Sequence, residues 1–425
     1  MPGPESNQAG PTKVTHISAY RTGGAGRAMM RISAAIAEAD SEGSFTDDFI
    51  IGAETKTSRR LINDIQKHGY RVFSRGLFRP SEPGLHSVAA ARTGLNRELA
   101  HRQTDIAHLH WIGDSTVSIE EIQKIPFPVV WTAHDMWLVN GAEHYSTGTR
   151  RIEGYKKSNR PTDERGPDVN RWTWMRKKKH WKNHFTVISP SQWLAREIQQ
   201  SPLAENWTID VIPYPLDTDL WHPISRPQAR HELGIPQDSL FLLFGAEKGL
   251  SASQKGGHEI GAILMGLVSQ IGEKNRPIVG VFGKGDNLLK TPFAETRDFS
   301  FINDDRKLAL LYSSADLTIV PSAIEAFGNV VVESMACGTP VAAYDHYGPA
   351  ELIDSGYSGI LGEPFLPVEL GEIMGRHILR RKNILQEYGE HGRAFIEREF
   401  NYKKIGTRYL ETYAQTLSDS QNRIG

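Results

Sequence analysis

Short apolar runs alternate along the chain with longer segments in which apolar residues recur every three or four positions. In the first half, the longer segments predict helices at Arg27–Ala39 and Ser191–Gln200. The short runs predict strands, at Val14–Ser18, Phe49–Gly52, Ile106–Trp111, Val129–Thr132 and Phe185–Ser189. Strands that alternate with helices are typical of βαβ units, in which a parallel sheet is covered by helices on both faces.

A proline-rich segment, Ile212 to Pro223, interrupts this alternation and predicts a linker between two domains. The alternation then begins again. The second half has predicted strands at Leu240–Phe244, Ile278–Phe282, Leu317–Val320 and Pro340–Ala343, and predicted helices at Gly257–Ile271, Arg306–Ser314 and Phe327–Ala336. We therefore expect an α/β protein with two Rossmann-like domains, residues 1–213 and 214–401, which face each other across a cleft. Ligands of such sheets bind beyond the carboxyl ends of the strands, so site residues are expected in strand-to-helix turns.

The composition limits the classes of protein to which the chain can belong. The 425 residues include 49 Lys and Arg against 50 Asp and Glu, a balance that does not favour a nucleic-acid partner. The single cysteine, Cys337, excludes an internal disulfide and a zinc site built from several cysteines. The polar segment Met1–Pro11 does not resemble a signal peptide, and no apolar run is long enough to span a membrane. We expect a cytoplasmic protein.

A glycine-rich turn follows the first predicted strand. Gly23–Gly26 comes directly before the helix predicted from Arg27. Glycine lets backbone N–H groups approach an anionic oxygen closely, and a helix N-terminus adds positive potential. The segment favours phosphate binding, but its spacing is not G-x-G-x-x-G, and a turn without a ligand explains it equally well.

The strongest functional signal lies between Pro321 and Pro340. A strand is predicted to end near Val320, a loop then carries Glu325, and a helix begins around Phe327 or Gly328. Eight residues of helix turn through about 800°, so Glu333 is expected on nearly the same side as Glu325. The rest of that helix is apolar, and a carboxylate there requires a partner. Two carboxylates beside helix N-terminal amides suit a ligand with both hydroxyl and phosphate groups.

This Glu-x7-Glu block resembles the donor-site signature of retaining GT-B glycosyltransferases, specifically glycosyltransferase family 4. The resemblance covers about residues 13–415. In the second half it includes Gln254–Gly257, Phe282–Gly285 and Leu311–Asp316. In the first half, Asp105–Trp111, Val130–Trp137 and Ser189–Leu194 are similar to the branch that makes colanic-acid-type polysaccharides. The resemblance implies the GT-B fold, with a C-terminal helix, about 402–425, that packs back on the first domain.

The resemblance also implies roles for individual residues. Glu333 would accept hydrogen bonds from the ribose of a nucleotide-diphosphate sugar. Glu325, with the backbone of Phe327 and Gly328, would contact the sugar and phosphates of the donor. Lys255 would neutralise the diphosphate. The catalytic residues implied are His134, Glu325 and Lys255, and the further substrate-binding residues are Gly24, Lys248, Asn329, His110 and Asp135.

The chain departs from the family pattern at two points: it lacks the cysteine pair that the colanic-acid-type branch often has near Glu143–Asn183, and it lacks one arginine of the pattern in the second half. Members commonly carry an arginine in the turn after the first strand of the second domain, where this chain has Ala246, Glu247 and Lys248. Lys248 could replace the arginine as a point charge, without its bidentate geometry. This admits a binding protein that has kept the nucleotide site and lost catalysis.

The reaction implied is sugar transfer with retention of configuration, to a saccharide or a lipid-linked saccharide, without a metal cofactor. The nucleotide-sugar is a substrate. A dinucleotide-dependent oxidoreductase is the alternative from another class, but it would require G-x-G-x-x-G and an acidic residue about 20 positions later.

Two histidine motifs allow more than one interpretation. Alternate residues of a strand point to one face, so His108 and His110 could share a metal. No carboxylate or third histidine is found at a helpful spacing, which favours polar lining of a cleft. His134 and Asp135 form either a site pair or an ordinary strand end.

A basic segment interrupts the first half. Glu143–Asn183 is predicted to be irregular, and Arg171–Lys182 holds six Lys or Arg residues and three tryptophans. Cations beside aromatic residues favour contact with the anionic inner face of a membrane that carries a lipid-linked acceptor. The alternative is a solvated helix whose aromatic side chains pack inward.

Overall fold

The computed structural model describes residues 10–54, 84–90, 92–285, 287–381 and 383–424. Residues 1–9, most of the polar N-terminal segment, therefore lie outside the described part. The chain forms two compact units. Unit 1 comprises residues up to Pro190, Leu194–Tyr214 and Tyr402–Gly425, and unit 2 comprises Ser191–Trp193 and Pro215–Asn401. The main passage between them, at Tyr214 and Pro215, falls inside the proline-rich segment.

Unit 1 contains a parallel sheet of six strands in the order β2-β1-β3-β4-β5-β6. The strands are β1 Thr12–Ser18, β2 Phe45–Ile51, β3 Ile106–Leu109, β4 Val129–Thr132, β5 Thr186–Ser189 and β6 Thr208–Val211. All four residues of β3, β4 and β5 are buried, as expected for central strands covered on both faces. The partly exposed edge strand β6 lacks the apolar run that marks the other strands, and the sequence analysis does not predict it.

The helices of unit 1 and its boundary are α1 Gly23–Ala39, α2 Leu95–His101, α3 Ile119–Ile122, α4 Arg150–Glu153, α5 Val169–His180 and α6 Gln192–Gln199, together with the C-terminal helix α14, Tyr402–Ile424. Helix α1 begins four residues before the predicted start, so the glycine-rich segment forms its first turn. Helix α14 packs along α1, where a Cβ on Gly406 would lie 2.0 Å from the carbonyl oxygen of Ala35. Glycine therefore permits this close approach.

Unit 2 contains a second parallel sheet of six strands, in the order β12-β11-β10-β7-β8-β9. The strands are β7 Phe241–Gly245, β8 Ile278–Phe282, β9 Glu295–Asp298, β10 Leu317–Val320, β11 Val341–Tyr344 and β12 Gly359–Gly362. Strands β7, β8, β10 and β11 are buried throughout. The predicted α/β class with two Rossmann-like sheets is confirmed.

The α-helices described in unit 2 are α7 Arg226–Glu232, α8 Ile260–Ile271, α9 Asp305–Ser314, α10 Asn329–Ala336, α11 Tyr347–Ala350, α12 Pro367–Arg380 and α13 Ile384–Glu399. Short 3-10 turns lie between β7 and α8, at Gly249–Ser251, Ser253–Lys255 and Gly257–Glu259. The helix predicted from Gly257 therefore starts as a 3-10 turn. Among the described helices of both units, none combines the length and apolarity needed to cross a bilayer.

Candidate functional site

The carboxyl edge of the sheet in unit 2 gathers charged side chains from separate turns. Strands β10, β7 and β8 are neighbours in that order, so the turns after them lie side by side. Glu247 and Lys248 follow β7, and Lys284 follows β8. Lys284 Nζ lies 2.9 Å from Glu247 Oε1. Lys284 is not among the site residues predicted from the sequence, although its place in the turn after a buried strand is a signal that could have identified it.

Lys255 and Glu325, which are 70 residues apart, form an ion pair at this edge. The Oγ of Ser322 donates to Glu325 at 3.3 Å. Backbone contacts hold the two loops together, since the N–H of Ala323 donates to the carbonyl of Gln254 at 2.9 Å. The structure thus brings together two of the predicted catalytic residues.

Glycine is required where these loops meet. Gly256 has φ +72, and a Cβ there would lie 2.0 Å from the carbonyl oxygen of Pro321. A larger residue would push the loop of Glu325 away from the turn of Lys255.

Helix α10 begins at Asn329, directly after Gly328 with its φ of 117°. Glu325 precedes the helix, so the projection of Glu325 and Glu333 onto one helical face is wrong: seven residues separate them, and only the last four of these, Asn329 to Val332, are helical. The loop is fixed by packing and by its backbone. Phe327 is buried with its ring 6.1 Å from that of Phe400, and the carbonyl of Glu325 accepts from the N–H of Gly348 at 3.1 Å.

Glu333 is buried on α10, and the hydroxyl of Tyr312 donates to its Oε2 at 3.4 Å. Tyr312 therefore supplies a partner of the kind that the apolar sequence of α10 requires. Burial, together with the negative charge of Glu333, raises the pKa of the Cys337 thiol well above its usual value. Cys337 is therefore a protonated core residue at neutral pH. Lys248, in contrast, is exposed in the turn that follows β7.

In unit 1, Gly24 lies exposed in the first turn of α1, between Gly23 with φ 75° and Gly26. A Cβ on Gly26 would meet the backbone of Arg21 at 2.3 Å. The first N–H groups of a helix have no partner within the helix. This turn therefore presents backbone donors of the kind that bind phosphate.

Four histidines of unit 1 cluster at the carboxyl half of its sheet. His16 on β1 and His108 on β3 are register partners, while His110 follows β3 and His134 follows β4. A row of hydrogen bonds links three of them, which we call the histidine chain. Nδ1 of His16 lies 2.9 Å from Nε2 of His110, and Nδ1 of His110 lies 3.2 Å from Nε2 of His134.

Both ends of the histidine chain are anchored. Nε2 of His16 lies 3.2 Å from Oδ1 of Asp47, on β2. Nδ1 of His134 lies 2.6 Å from the hydroxyl of Tyr214. Both ring nitrogens of each chain histidine therefore have a hydrogen-bonding partner.

His16 lies close enough to His108 and His110 to be a third metal ligand, which the spacing of the sequence does not reveal. Its ligand nitrogen and those of His108 and His110 all lie within 4.8 Å of one another. However, His108 is already bonded through Nδ1 to Tyr413 at 2.7 Å and through Nε2 to Thr132 at 2.8 Å. The ring centroids of His108 and His110 are 4.1 Å apart, so the rings lie against each other. This arrangement favours a hydrogen-bonded cluster over a set of metal ligands.

Burial keeps three of these imidazoles neutral. It lowers the pKa of His108 and of His110 well below the usual value, and the neighbouring histidines lower it further. Burial also lowers the pKa of His134 to about 4, although the charge of Asp135 acts in the opposite direction. At neutral pH His134 is therefore an uncharged imidazole.

Asp135 holds the aromatic side chains beside His134. It accepts from His144 Nδ1 at 2.6 Å, from Trp111 Nε1 at 2.8 Å and from the N–H of Trp137 at 2.8 Å. Burial by itself would raise the pKa of Asp135, but His144 and these donors hold it below its usual value. These residues line a small cavity, together with Trp131, His110 and His134. Asp135 thus supports the cavity wall.

The basic segment is more ordered than predicted, since it contains α5, Val169–His180. Lys177 is completely buried, and its Nζ donates to the carbonyls of Trp137, of Asn140 at 3.0 Å and of Gly141 at 2.9 Å. Trp174 and Trp181 are buried as well. The hypothesis that the whole cluster forms a membrane-facing surface is therefore wrong for these three residues. The exposed members of the segment include Trp172, Met175, Lys178, Lys179 and Lys182.

The neutral histidines predict a loss of stability in acid. An unfolded histidine has a pKa of about 6.5, so below that pH the unfolded chain binds protons that His108, His110 and His134 do not bind in the folded protein. The free energy of unfolding should fall as pH falls, by up to about 1.4 kcal/mol per pH unit for each of these histidines. Urea denaturation at pH 7.5, 6.0 and 5.0 measures this change.

His134→Gln should make that pH dependence shallower, whereas His222→Gln, at an exposed position, should leave it unchanged. A free energy of unfolding that stays constant from pH 7.5 to 5.0 would show that the histidines are not held neutral.

The burial of Lys177 predicts different effects for neighbouring lysines. Lys177→Gln removes the ammonium that several buried carbonyls share, and we expect the free energy of unfolding to fall by about 3 kcal/mol or more. Lys179→Gln changes the charge equally at an exposed position, and should change stability by less than about 0.5 kcal/mol. Urea denaturation of both variants compares them, and equal effects would argue against the buried role.

Comparisons with known families match both halves of the chain. Glycosyltransferase Family 4 matches residues 22–220, and Glycosyl transferases group 1 matches residues 294–394. The second match includes Glu325 and Glu333. The D-inositol 3-phosphate glycosyltransferase of Streptosporangium roseum is 31% identical over 185 residues, which cover 40% of this chain and 42% of that relative. The chain thus matches less than half of the length of this relative.

Solved structures extend the likeness over nearly the whole chain. Sucrose-phosphate synthase from Thermosynechococcus elongatus aligns with a TM-score of 0.65 at 17% identity, over 96% of this chain and 100% of that one. HepE of Anabaena in complex with UDP-glucose aligns with a TM-score of 0.61 at 19% identity, over 95% and 99%. At such identities the likeness concerns the fold. The chain therefore has the GT-B fold, and its two halves match glycosyltransferase families.

Proposed function

We propose that the protein is a glycosyltransferase that moves a sugar from a nucleotide-diphosphate sugar to a saccharide or lipid-linked saccharide, with retention of configuration. The observation that carries the proposal is the pairing of Lys255 with Glu325 beside the start of α10, the helix that holds Glu333. The two glutamates lie in the segment that matches Glycosyl transferases group 1. HepE, a structural neighbour, was solved with UDP-glucose.

Charge at the carboxyl edge of unit 2 suits a diphosphate. Lys255 is more than one-third exposed while its partner Glu325 is mostly buried, so the ammonium can turn toward an incoming phosphate while the carboxylate still orients it. Lys248 adds an exposed cation from the turn after β7. The first N–H groups of α10 supply further donors. A preorganised donor aimed at developing charge contributes about 3–4 kcal/mol in a transition state.

Glu333 suits the ribose of the donor. A carboxylate accepts hydrogen bonds from two neighbouring hydroxyl groups, and its position on a buried helix restricts its orientation. Tyr312 donates a hydrogen bond to one oxygen, which gives the buried carboxylate a partner before the ligand binds.

In the proposed reaction the bond between the anomeric carbon and the diphosphate breaks while the acceptor oxygen attacks from the same face. The leaving phosphate takes the proton of the acceptor hydroxyl. The charge that develops on it is met by Lys255 and the α10 amides, so the proposal invokes neither a second carboxylate nor a metal.

The second candidate is a nucleotide-binding protein of the same fold without catalysis. It is favoured by the turn after β7, where an exposed Lys248 stands beside Ala246 and the family arginine is absent. Both candidates bind nucleotide, and only the first turns donor over.

A panel of nucleotide-sugars, beginning with UDP-glucose, tests the proposal by thermal shift and by release of nucleoside diphosphate. Acceptors should include oligosaccharides, lipid-linked saccharides and inositol phosphates. The inositol phosphates are included because the relative from Streptosporangium roseum is a D-inositol 3-phosphate glycosyltransferase. Retention is then read from the anomeric configuration of the product by NMR. Binding without turnover would favour the second candidate, and absence of both would overturn the proposal.

Lys255 is predicted to act on the diphosphate. Lys255→Ala should weaken binding of the nucleoside diphosphate at least about tenfold and leave nucleoside binding nearly unchanged, because a charge-assisted hydrogen bond contributes about 1.5–3 kcal/mol. Titration calorimetry measures both ligands. Lys274→Ala is the matched control and should leave both affinities unchanged, since Lys274 is exposed and lies before β8, at the opposite edge of the sheet. Equal losses for nucleoside and diphosphate would make the role of Lys255 structural.

Glu333 is predicted to act on the nucleoside. Glu333→Gln keeps the size of the side chain but removes its charge, so nucleoside and donor affinity should both fall at least about tenfold. Glu369→Gln makes the same change at an exposed position of unit 2 and should have no effect. An unchanged dissociation constant for Glu333→Gln would exclude this residue from the site.

Peripheral contact with an anionic membrane is part of the proposal for a lipid-linked acceptor. The exposed residues of α5 would provide it, and each basic residue near an anionic leaflet contributes about 1 kcal/mol. Lys178→Gln with Lys179→Gln should reduce co-sedimentation with phosphatidylserine vesicles at low salt. Lys403→Gln with Lys404→Gln, an equal charge change on exposed residues of α14, should not. Wild-type protein that stays in the supernatant would contradict membrane contact.

A further inference from the structure

The histidine chain and its anchor Asp47, together called the row, extend across four neighbouring strands of unit 1. The row starts at Asp47 on β2, continues through His16 on β1 and His110 after β3, and reaches His134 after β4. The strands follow one another in this order in the sheet. A continuous row of side chains therefore connects the side of Asp47 with the cavity beside His134.

Only one end of the row has a fixed hydrogen-bonding direction. Although burial raises it, the pKa of Asp47 lies below its usual value because His16 and Ser33 hydrogen-bond to the carboxylate. Asp47 is therefore ionised at neutral pH and can only accept, so Nε2 of His16 donates to it. When His16 is neutral it carries a single N–H group, and donation from Nε2 leaves Nδ1 as an acceptor.

The donor of each hydrogen bond in the row is then fixed by the bond before it. If Nδ1 of His16 accepts, Nε2 of His110 must donate to it, and Nδ1 of His110 must then accept from Nε2 of His134. The remaining nitrogen of His134 accepts from the hydroxyl of Tyr214. One carboxylate thus selects the same tautomer in three imidazoles.

His134 is the most accessible histidine of the row. His16 and His110 are buried, whereas His134 is partly accessible and lines the cavity with Trp111 and Trp137. The partner on one nitrogen of a histidine fixes the tautomer and orientation of the ring, and hence what the rest of the ring offers.

We propose that Asp47, His16 and His110 are positioning residues, which hold His134 as the neutral Nε2–H tautomer in one orientation. They act on a ligand only through His134. The tautomer is a property of the free protein, and only the effect on turnover rests on the proposed function.

Nitrogen-15 NMR of the histidine rings at pH 7.5 tests the direction of the row. His16, His110 and His134 should each show a protonated Nε2 and an unprotonated Nδ1. In Tyr214→Phe the tautomer of His134 should persist, because the direction is set at Asp47. A protonated Nδ1 on any of the three, or a change of tautomer in Tyr214→Phe, would overturn the proposal.

Asp47→Asn tests the origin of the direction. An amide both donates and accepts, so His134 should show mixed or reversed tautomers in this variant. Asp48→Asn is the matched control, since Asp48 is the next residue of β2 and pairs with Arg102 at 2.7 Å instead. A wild-type tautomer in a folded Asp47→Asn protein would overturn the proposal. If that variant does not fold, the Tyr214→Phe spectra still decide the direction.

Steady-state kinetics of the full-length protein provide a second test. His134 is a catalytic residue implied by the family resemblance, so Asp47→Asn should lower kcat at least about tenfold, with KM for the donor nearly unchanged, because small misplacements of a catalytic group are costly. Asp48→Asn should leave both constants unchanged. An inactive wild-type protein with the expected tautomers would count against the proposed function alone. About one equivalent of zinc in the purified protein would overturn the proposal, because the metal would occupy the nitrogen lone pairs that accept the hydrogen bonds of the row.

Discussion

Parallel pairing of neighbouring strands is the constraint on which both candidate sites depend. In a parallel sheet every strand ends at the same edge, so turns distant in sequence become neighbours there. In unit 2 this places the turn of Lys248 between those that carry Lys284 and Glu325. In unit 1 it places His110 beside His134, and it aligns His16 with His108 inside the sheet. The chemistry available at each edge follows from the order of the strands.

The second requirement is that buried polar groups find partners inside the protein. An unsatisfied buried donor or acceptor costs about 1–3 kcal/mol. Two groups of unit 1 meet this requirement with shared hydrogen bonds: the histidine chain satisfies both nitrogens of each ring, and Lys177 serves several carbonyls at once. Asp135 likewise accepts from three donors. Such groups are rigid because each bond constrains the next, and this rigidity is what a binding surface requires.

In unit 2 the charged side chains of the candidate site also have partners, but some of them are less buried. The Lys255–Glu325 pair is partly exposed, so its ammonium can exchange one anion for another. Glu333, which is buried, has Tyr312 as a partner and keeps its position on α10. A mobile cation and a fixed acceptor are suited to different parts of one ligand, a phosphate and a hydroxyl-bearing sugar. The close approach at Gly256 keeps the cation beside the helix start.

The sequence by itself determined the α/β class, the division near residue 214 and most central strands, because buried parallel strands are short continuous apolar runs with a recognisable period. It also marked Glu325 by its place after a strand and Glu333 as a carboxylate on an apolar helix, while Lys255 was marked by the family resemblance. It could not reveal His16 as a neighbour of His108, or Lys177 as a core residue, because both depend on which strand or loop packs alongside. The start of α1 at Gly23 and the exposed edge strand β6 likewise lack a local signal that distinguishes them. Periodicity reports which residues are buried along one element, whereas the partner of each polar atom is decided only when distant elements meet.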